Sequence, residues 1–118
     1  MSGAVTHIEI GSLTGAKTSG FFERLFGWSF TSWGEGSGVF TSPTCKVGLH
    51  AKDPTPQMVV YLAVQDIEQA AKRVVELGGQ AGDISPDEPG FGRFCTCKDP
   101  EGVVFGLHQG GTAAGSGA

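Results

Sequence analysis

The chain has three histidines, and their placement is its main chemical clue. His7 lies in Val5-Thr6-His7-Ile8-Glu9-Ile10, an alternating run that reads as a strand. Alternation puts His7 and Glu9 on one face and Ile8 and Ile10 on the other. His50 and His108 each close the same tripeptide, Gly48-Leu49-His50 and Gly106-Leu107-His108, at the end of an apolar, strand-like segment. Tyr61, in the apolar run Met58 to Val64, adds a hydroxyl. Imidazoles beside a carboxylate can orient a polar ligand, hold Zn, Fe, Ni or Mn, or move a proton near neutral pH. The expected ligand-binding set is therefore His7, Glu9, His50, Tyr61 and His108. His7 and Glu9 are the candidates for acid–base chemistry. Were a metal held, His7, His50 and His108 would be its first ligands.

The shared tripeptide belongs to a longer repeat. Gly38-Val39-Phe40-Thr41 parallels Gly92-Arg93-Phe94-Cys95, and the helix ending Leu25-Phe26-Gly27 parallels the one ending Leu77-Gly78-Gly79. Each half thus runs strand, helix and several strands in the same order. A duplicated sheet-forming unit normally builds one structure with a shared concavity, which is where a site is expected.

In the first half, residues 5–10 form a strand and residues 16–26 a helix. Phe21, Phe22, Leu25 and Phe26 give that helix a broad apolar stripe, and Gly27 stops it. Short strands follow over 28–33, 38–41 and 45–50. Asp53-Pro54-Thr55-Pro56 is a stiff connector. In the second half, residues 58–64 form a strand, and Asp66 with Gln69 makes a capping box. Ile67, Ala70, Ala71, Val74 and Leu77 share the helical face that must pack on the sheet. Strands follow over 80–84, 92–98 and 103–108, the last two joined through Asp99-Pro100-Glu101-Gly102. The Gly/Ala/Ser-rich stretch 111–118 is expected to be a disordered tail. The reading is one domain over 1–110, with modules at about 5–50 and 58–108.

Composition narrows the function. At 118 residues the chain suits one core. A formal net charge of −4 argues against nucleic acid, because phosphate binding needs a basic surface. The longest apolar run is too short to span a bilayer, and the start lacks the pattern of a secretory signal. Three cysteines cannot all pair within the chain, so free thiols and a cytoplasmic setting are expected.

These features together resemble the vicinal oxygen chelate superfamily, which includes glyoxalase I, bleomycin-resistance proteins and extradiol dioxygenases. The resemblance rests on His7-Ile8-Glu9-Ile10, on Phe21-Phe22-Glu23-Arg24-Leu25-Phe26-Gly27-Trp28, and on the run from Gly90-Phe91-Gly92-Arg93-Phe94 through Asp99-Pro100-Glu101-Gly102 to Phe105-Gly106-Leu107. It covers nearly the whole chain apart from the tail, and looks closest to small glyoxalase-like members. It implies an α+β fold in which two βαβββ modules form one strongly curved mixed sheet around a cavity, with the helices outside. It also implies a homodimer. The superfamily's metal enzymes take one ligand from the first and one from the last strand of each module. By motif, those positions fall on His7, Val59, Gly48 and Gly106, of which only His7 carries a donor. Each of His50 and His108 follows its glycine by two residues, on the same strand face and about 7 Å further along. No cofactor is expected, with a divalent metal at a displaced histidine site as the alternative.

Other features are weaker. Of Trp28, Phe30, Trp33 and Phe40, not all can face one pocket, since Trp28 and Phe30 alternate with Trp33. Cys95 and Cys97 share a strand face and read as small buried apolar residues. Gly11-Ser12-Leu13-Thr14-Gly15-Ala16-Lys17-Thr18 mimics a phosphate loop but misses its spacing, because Ala16 separates glycine from lysine. The expected function is small-molecule binding of the glyoxalase/bleomycin-resistance type without the usual metal site. A metal-dependent lyase, isomerase or dioxygenase, and a metal-free lyase or isomerase, are the alternatives.

Overall fold

A computed structural model describes residues 2–110. The tail over 111–118 lies outside the described residues. In chain order the elements are β1 (Val5–Gly11), α1 (Gly15–Phe26), β2 (Ser29–Gly34), β3 (Ser37–Thr41), β4 (Lys46–His50), β5 (Gln57–Ala63), α2 (Ile67–Glu76), β6 (Gln80–Ile84), β7 (Arg93–Lys98) and β8 (Val104–Gln109). The class is α+β, with βαβββ occurring twice. The strands follow the order β2-β3-β4-β1-β5-β8-β7-β6 in a mixed sheet. Among the described residues the chain divides into two compact units, one over 6–60 and the other over 61–110 joined by 2–5.

In the first unit β1 runs parallel to β4, while β2–β3 and β3–β4 are antiparallel. Ile10, Phe40, Val47 and Leu49 form its core, with Ile8, Phe22, Trp28, Phe30 and Cys45 packed against it. Burying each such side chain contributes about 1.5–3 kcal/mol. The apolar stripe expected on α1 splits. Phe22 turns inward, 5.6 Å from Trp28 and 6.0 Å from Phe40 between ring centres. Phe21, Leu25 and Phe26 stay more than half exposed. The buried residues of the helix are Gly15 and Ser19, small side chains spaced four apart. The contact face therefore runs Gly15-Ser19-Phe22, and Phe21 and Leu25 fall beside it. Gly27 closes the helix at φ 72°, its N–H bonded to Glu23 O.

In the second unit β5 and β8 are parallel, and β8–β7 and β7–β6 antiparallel. Val64, Ile67, Ala70, Ala71, Cys95, Cys97 and Leu107 form the core. Asp66 caps α2 by accepting from the Gln69 N–H at 3.1 Å, and Gln109 Oε1 accepts from the Ile67 N–H at 2.8 Å. Together they satisfy two of the helix's orphan donors. Leu77, assigned above to the packing face, is exposed, because the helix ends at Glu76 and Leu77 is its C-cap.

Candidate functional site

The pairing of β1 with β4 sets Glu9 opposite Gly48 and Gly11 opposite His50. A side chain at Gly48 would collide with the Glu9 carboxylate, and one at Gly11 with the Asp53 carboxylate. Each glycine is thus the floor on which an acidic side chain lies. From there a continuous line of hydrogen bonds forms. His7 Nε2–H donates to Glu9 Oε1 at 3.0 Å, and His50 Nδ1–H donates to Glu9 Oε2 at 2.9 Å. His50 Nε2–H donates to Asp53 Oδ2 at 2.8 Å. Asp53 Oδ1 in turn accepts from the Thr55 N–H at 2.9 Å. The connector is tied back to the end of β1 by Asp53 N–H to Ser12 O and Lys52 N–H to Leu13 O, each 3.1 Å.

This geometry decides the charge of His50. Both ring nitrogens face carboxylate oxygens, and only the doubly protonated ring can donate to both. Partial burial works against the cation, but the bonds and charges of Glu9 and Asp53 prevail and hold the imidazole above its ordinary 6.5. Burial likewise pushes the Glu9 carboxyl up, yet the two histidines outweigh it and hold it below 4.5. Asp53 is lowered by the Thr55 N–H and then by His50. The set favours an ionised Glu9 and Asp53 bridged by a protonated His50. With both nitrogens engaged, His50 has no free lone pair for general-base work. His7 is buried, whereas the Glu9 side chain is 28% and the His50 side chain 49% exposed, so the line reaches solvent at His50.

The second unit builds a parallel arrangement with different chemistry. Tyr61 pairs with Gly106, and a side chain at Gly106 would collide with the Tyr61 ring. The Tyr61 hydroxyl bonds Thr96 Oγ1 at 3.0 Å. Phe94 stands edge-on to Tyr61 at 5.4 Å and stacks on His108 at 4.7 Å. His108 Nε2–H donates to Phe91 O. Of the expected set, His7, Glu9 and His50 therefore meet in one unit, while Tyr61 and His108 belong to the other and are linked through Phe94. Asp53 was read only as part of a connector. Its signal was an acid three residues past a strand-end histidine, opposite a glycine. Phe94 and Thr96 were also missed, since only cross-strand pairing brings them to Tyr61.

The donor positions implied by the superfamily resemblance do not suit its metal. Gly48 and Gly106 have no side chain, and the space above each is filled by Glu9 or Tyr61. Val59 is a buried apolar residue. His7 Nε2 is bonded to Glu9. The displaced set is not assembled either, because His50 uses both nitrogens on carboxylates and His108 Nε2 is on a backbone carbonyl. Among the described residues no group of three or more His, Cys, Asp or Glu is arranged to hold a metal.

The remaining features also separate. Phe40 is buried and Phe30 and Trp28 pack on it, leaving Trp33 as the exposed aromatic of the four. Trp33 lies between Ser32 and Gly34, where the β2–β3 register shifts. The Cys95 and Cys97 sulfurs are 3.7 Å apart and buried. Burial, then Cys95, pushes the Cys97 thiol up to about 12. A thiol held that high stays protonated at neutral pH and lacks the depressed pKa of a reactive thiolate.

Comparison with known proteins then places the chain. Residues 12–108 match the profile of the glyoxalase-like domain. The chain belongs to the glyoxalase-like domain family. Among curated relatives, the CFP32 protein of Mycobacterium bovis, a glyoxylase by name, is 30% identical over 95 residues, covering 74% of this chain and 36% of that protein. The anthracycline biosynthesis protein DnrV of Streptomyces peucetius is 28% identical, covering 97% of this chain and 50% of its own length. This glyoxalase-like chain thus spans about half or less of the curated relatives it matches. Among solved structures, methylmalonyl-CoA epimerase from Mycobacterium tuberculosis superposes with a TM-score of 0.71 at 13% identity, covering 98% of this chain and 93% of that one. Homoprotocatechuate 2,3-dioxygenase from Brevibacterium fuscum gives 0.69 at 16% identity, over 91% of this chain and 36% of that one. Both neighbours are vicinal oxygen chelate proteins, and at these identities they establish the fold.

Proposed function

We propose that the chain binds a small polar molecule at the His7–Glu9–His50 line, without a metal at the superfamily's usual positions. The observation that carries this reading is the Glu9 carboxylate. It lies over Gly48, bonded by two imidazoles and still partly exposed. Each carboxylate oxygen accepts one imidazole N–H and keeps a lone pair for a ligand hydroxyl or amine. The carboxylates of Glu9 and Asp53 give the line an acidic character, which favours neutral or cationic ligands over carboxylates and phosphates. A carboxylate held this low is a weak base, so binding is favoured over proton abstraction. DnrV is named for anthracycline biosynthesis, and a flat hydroxylated aromatic of that kind is a sensible first probe for this chain.

The test is a thermal-shift and calorimetric screen of hydroxylated and amine-bearing aromatics against the wild-type chain, Glu9→Gln and Glu9→Ala. A ligand that raises the wild-type melting temperature should lose about tenfold or more in affinity in Glu9→Ala, the loss of one charge-assisted bond. Binding unchanged in both variants would remove Glu9 from the site. Chelator should leave the melting temperature unmoved. Stoichiometric Zn, Ni, Fe or Mn retained after dialysis would overturn the metal-free reading.

A further inference from the structure

We propose that the His50 ring is a displaceable occupant of a seat between Glu9 and Asp53, and that this seat takes the planar nitrogen cation of a guanidinium-bearing ligand. The proposal rests on the reading that ligands bind at the Glu9 carboxylate, and it names the group they present there. The two ring nitrogens of His50 lie 2.9 Å from Glu9 Oε2 and 2.8 Å from Asp53 Oδ2, so one flat group bridges two acids. A ligand that takes the place of the ring must offer N–H groups in two directions within one plane. Guanidinium does so, because its donors are spread around a rigid planar cation. An ammonium is a compact, strongly hydrated point charge, and a hydroxyl has a single proton to donate.

The acids are anchored and the imidazole is not. Glu9 lies over Gly48, and its other oxygen accepts from His7 Nε2–H at 3.0 Å. Asp53 Oδ1 accepts from the Thr55 N–H at 2.9 Å, and the Asp53 N–H is bonded to Ser12 O at 3.1 Å. His50, by contrast, is the last residue of β4, and its side chain is 49% exposed against 15% for Asp53. Rotation about its Cα–Cβ bond carries the ring toward solvent and leaves both carboxylates in place. That movement breaks two charge-assisted bonds, and a bridging guanidinium restores both. Gly11 keeps the seat open, since a side chain there would meet Asp53 Oδ2 and His50 Nε2. Among the described residues neither acid pairs with a lysine or arginine that could fill it instead. Lys52, the neighbour of Asp53, gives its ammonium to Glu35 at 3.1 Å.

Calorimetric titration at neutral pH with phenylguanidine, a flat cation, and phenylurea, its neutral isostere, tests this. His50→Ala should bind phenylguanidine about tenfold more tightly than the wild-type chain, because the resident competitor is gone. His50→Gln should gain in the same direction, which keeps the test independent of how well His50→Ala folds. Phenylurea should gain in neither variant. Adding Asp53→Asn to His50→Ala should reverse the gain, because one of the two acids that hold the cation is neutralised. Phenylguanidine binding that is unchanged or weaker in both His50 variants would overturn the proposal. So would an equal gain by phenylurea, which would make the effect one of space and not of charge. The underlying reading stands or falls separately: a neutral hydroxylated aromatic that binds the wild-type chain through Glu9 would uphold it even if the seat failed.

Discussion

The two modules use one backbone frame for opposite kinds of chemistry. In each, a residue of the first strand lies across a glycine of the last strand, and a histidine follows that glycine by two positions. In the first module the overlying side chain is Glu9, and the histidine is drawn into a line of charge. In the second it is Tyr61, and the histidine stacks in an aromatic column. The placement recurs and the contents differ. The bare glycine is what permits both, because it leaves the space above the strand to whichever neighbour can fill it.

The comparison is sharpest in its glycines. Gly106→Ala drives a methyl into a buried ring and should cost about 3 kcal/mol or more in urea unfolding. Gly48→Ala meets a flexible carboxylate that can swing away at the expense of its bonds to histidine, and should cost roughly 1–2 kcal/mol. Equal losses would mean that the Tyr61 ring yields as easily as Glu9. Glu9→Ala comes next, because it leaves buried His7 without that partner. It should lower stability by about 2 kcal/mol, and Glu9→Gln should recover part of this.

A pH series separates the modules by another route. His50 is raised, so its contribution is fully present below 6.5 and is lost as pH climbs through its folded value. Glu9 and Asp53 are lowered, so theirs is present above 4.5 and 3.8 and is lost as pH falls through their folded values. The line is therefore strongest between about pH 4.5 and 6.5. Melting temperature should decline above that window in the wild-type chain and decline less in His50→Gln. The same slope in both would assign the titration elsewhere. The smallest expected effect is Tyr61→Phe, which removes one hydroxyl bond and should cost about 1 kcal/mol.

Much of the fold was legible because its signals are local. Alternation, the glycine stops and the Asp66 cap each need only a few neighbouring residues, and the shared tripeptide revealed the duplication. His7, Glu9 and His50 could be nominated because strand parity alone puts His7 with Glu9. Asp53 could not, since its contact depends on the path of a Pro-rich connector and on the empty space over Gly11. The Tyr61–Phe94–His108 column was hidden for the same reason, because register between strands is not written in either strand. The contact face of α1 was not legible in its apolar stripe, because small residues, Gly15 and Ser19, set that face in place of the larger aromatics.

The buried cysteines have a practical consequence. Cys95 and Cys97 sit on an interior strand of the second unit and are almost sealed from solvent, whereas Cys45 in the first unit is half-buried. Thiol-reactive labelling of the native chain therefore carries a built-in clock. Modification at Cys45 follows local breathing of one module, and modification at Cys95 and Cys97 waits for the other to open. Two rates from one reaction would report whether the modules unfold as a single cooperative body or one after the other.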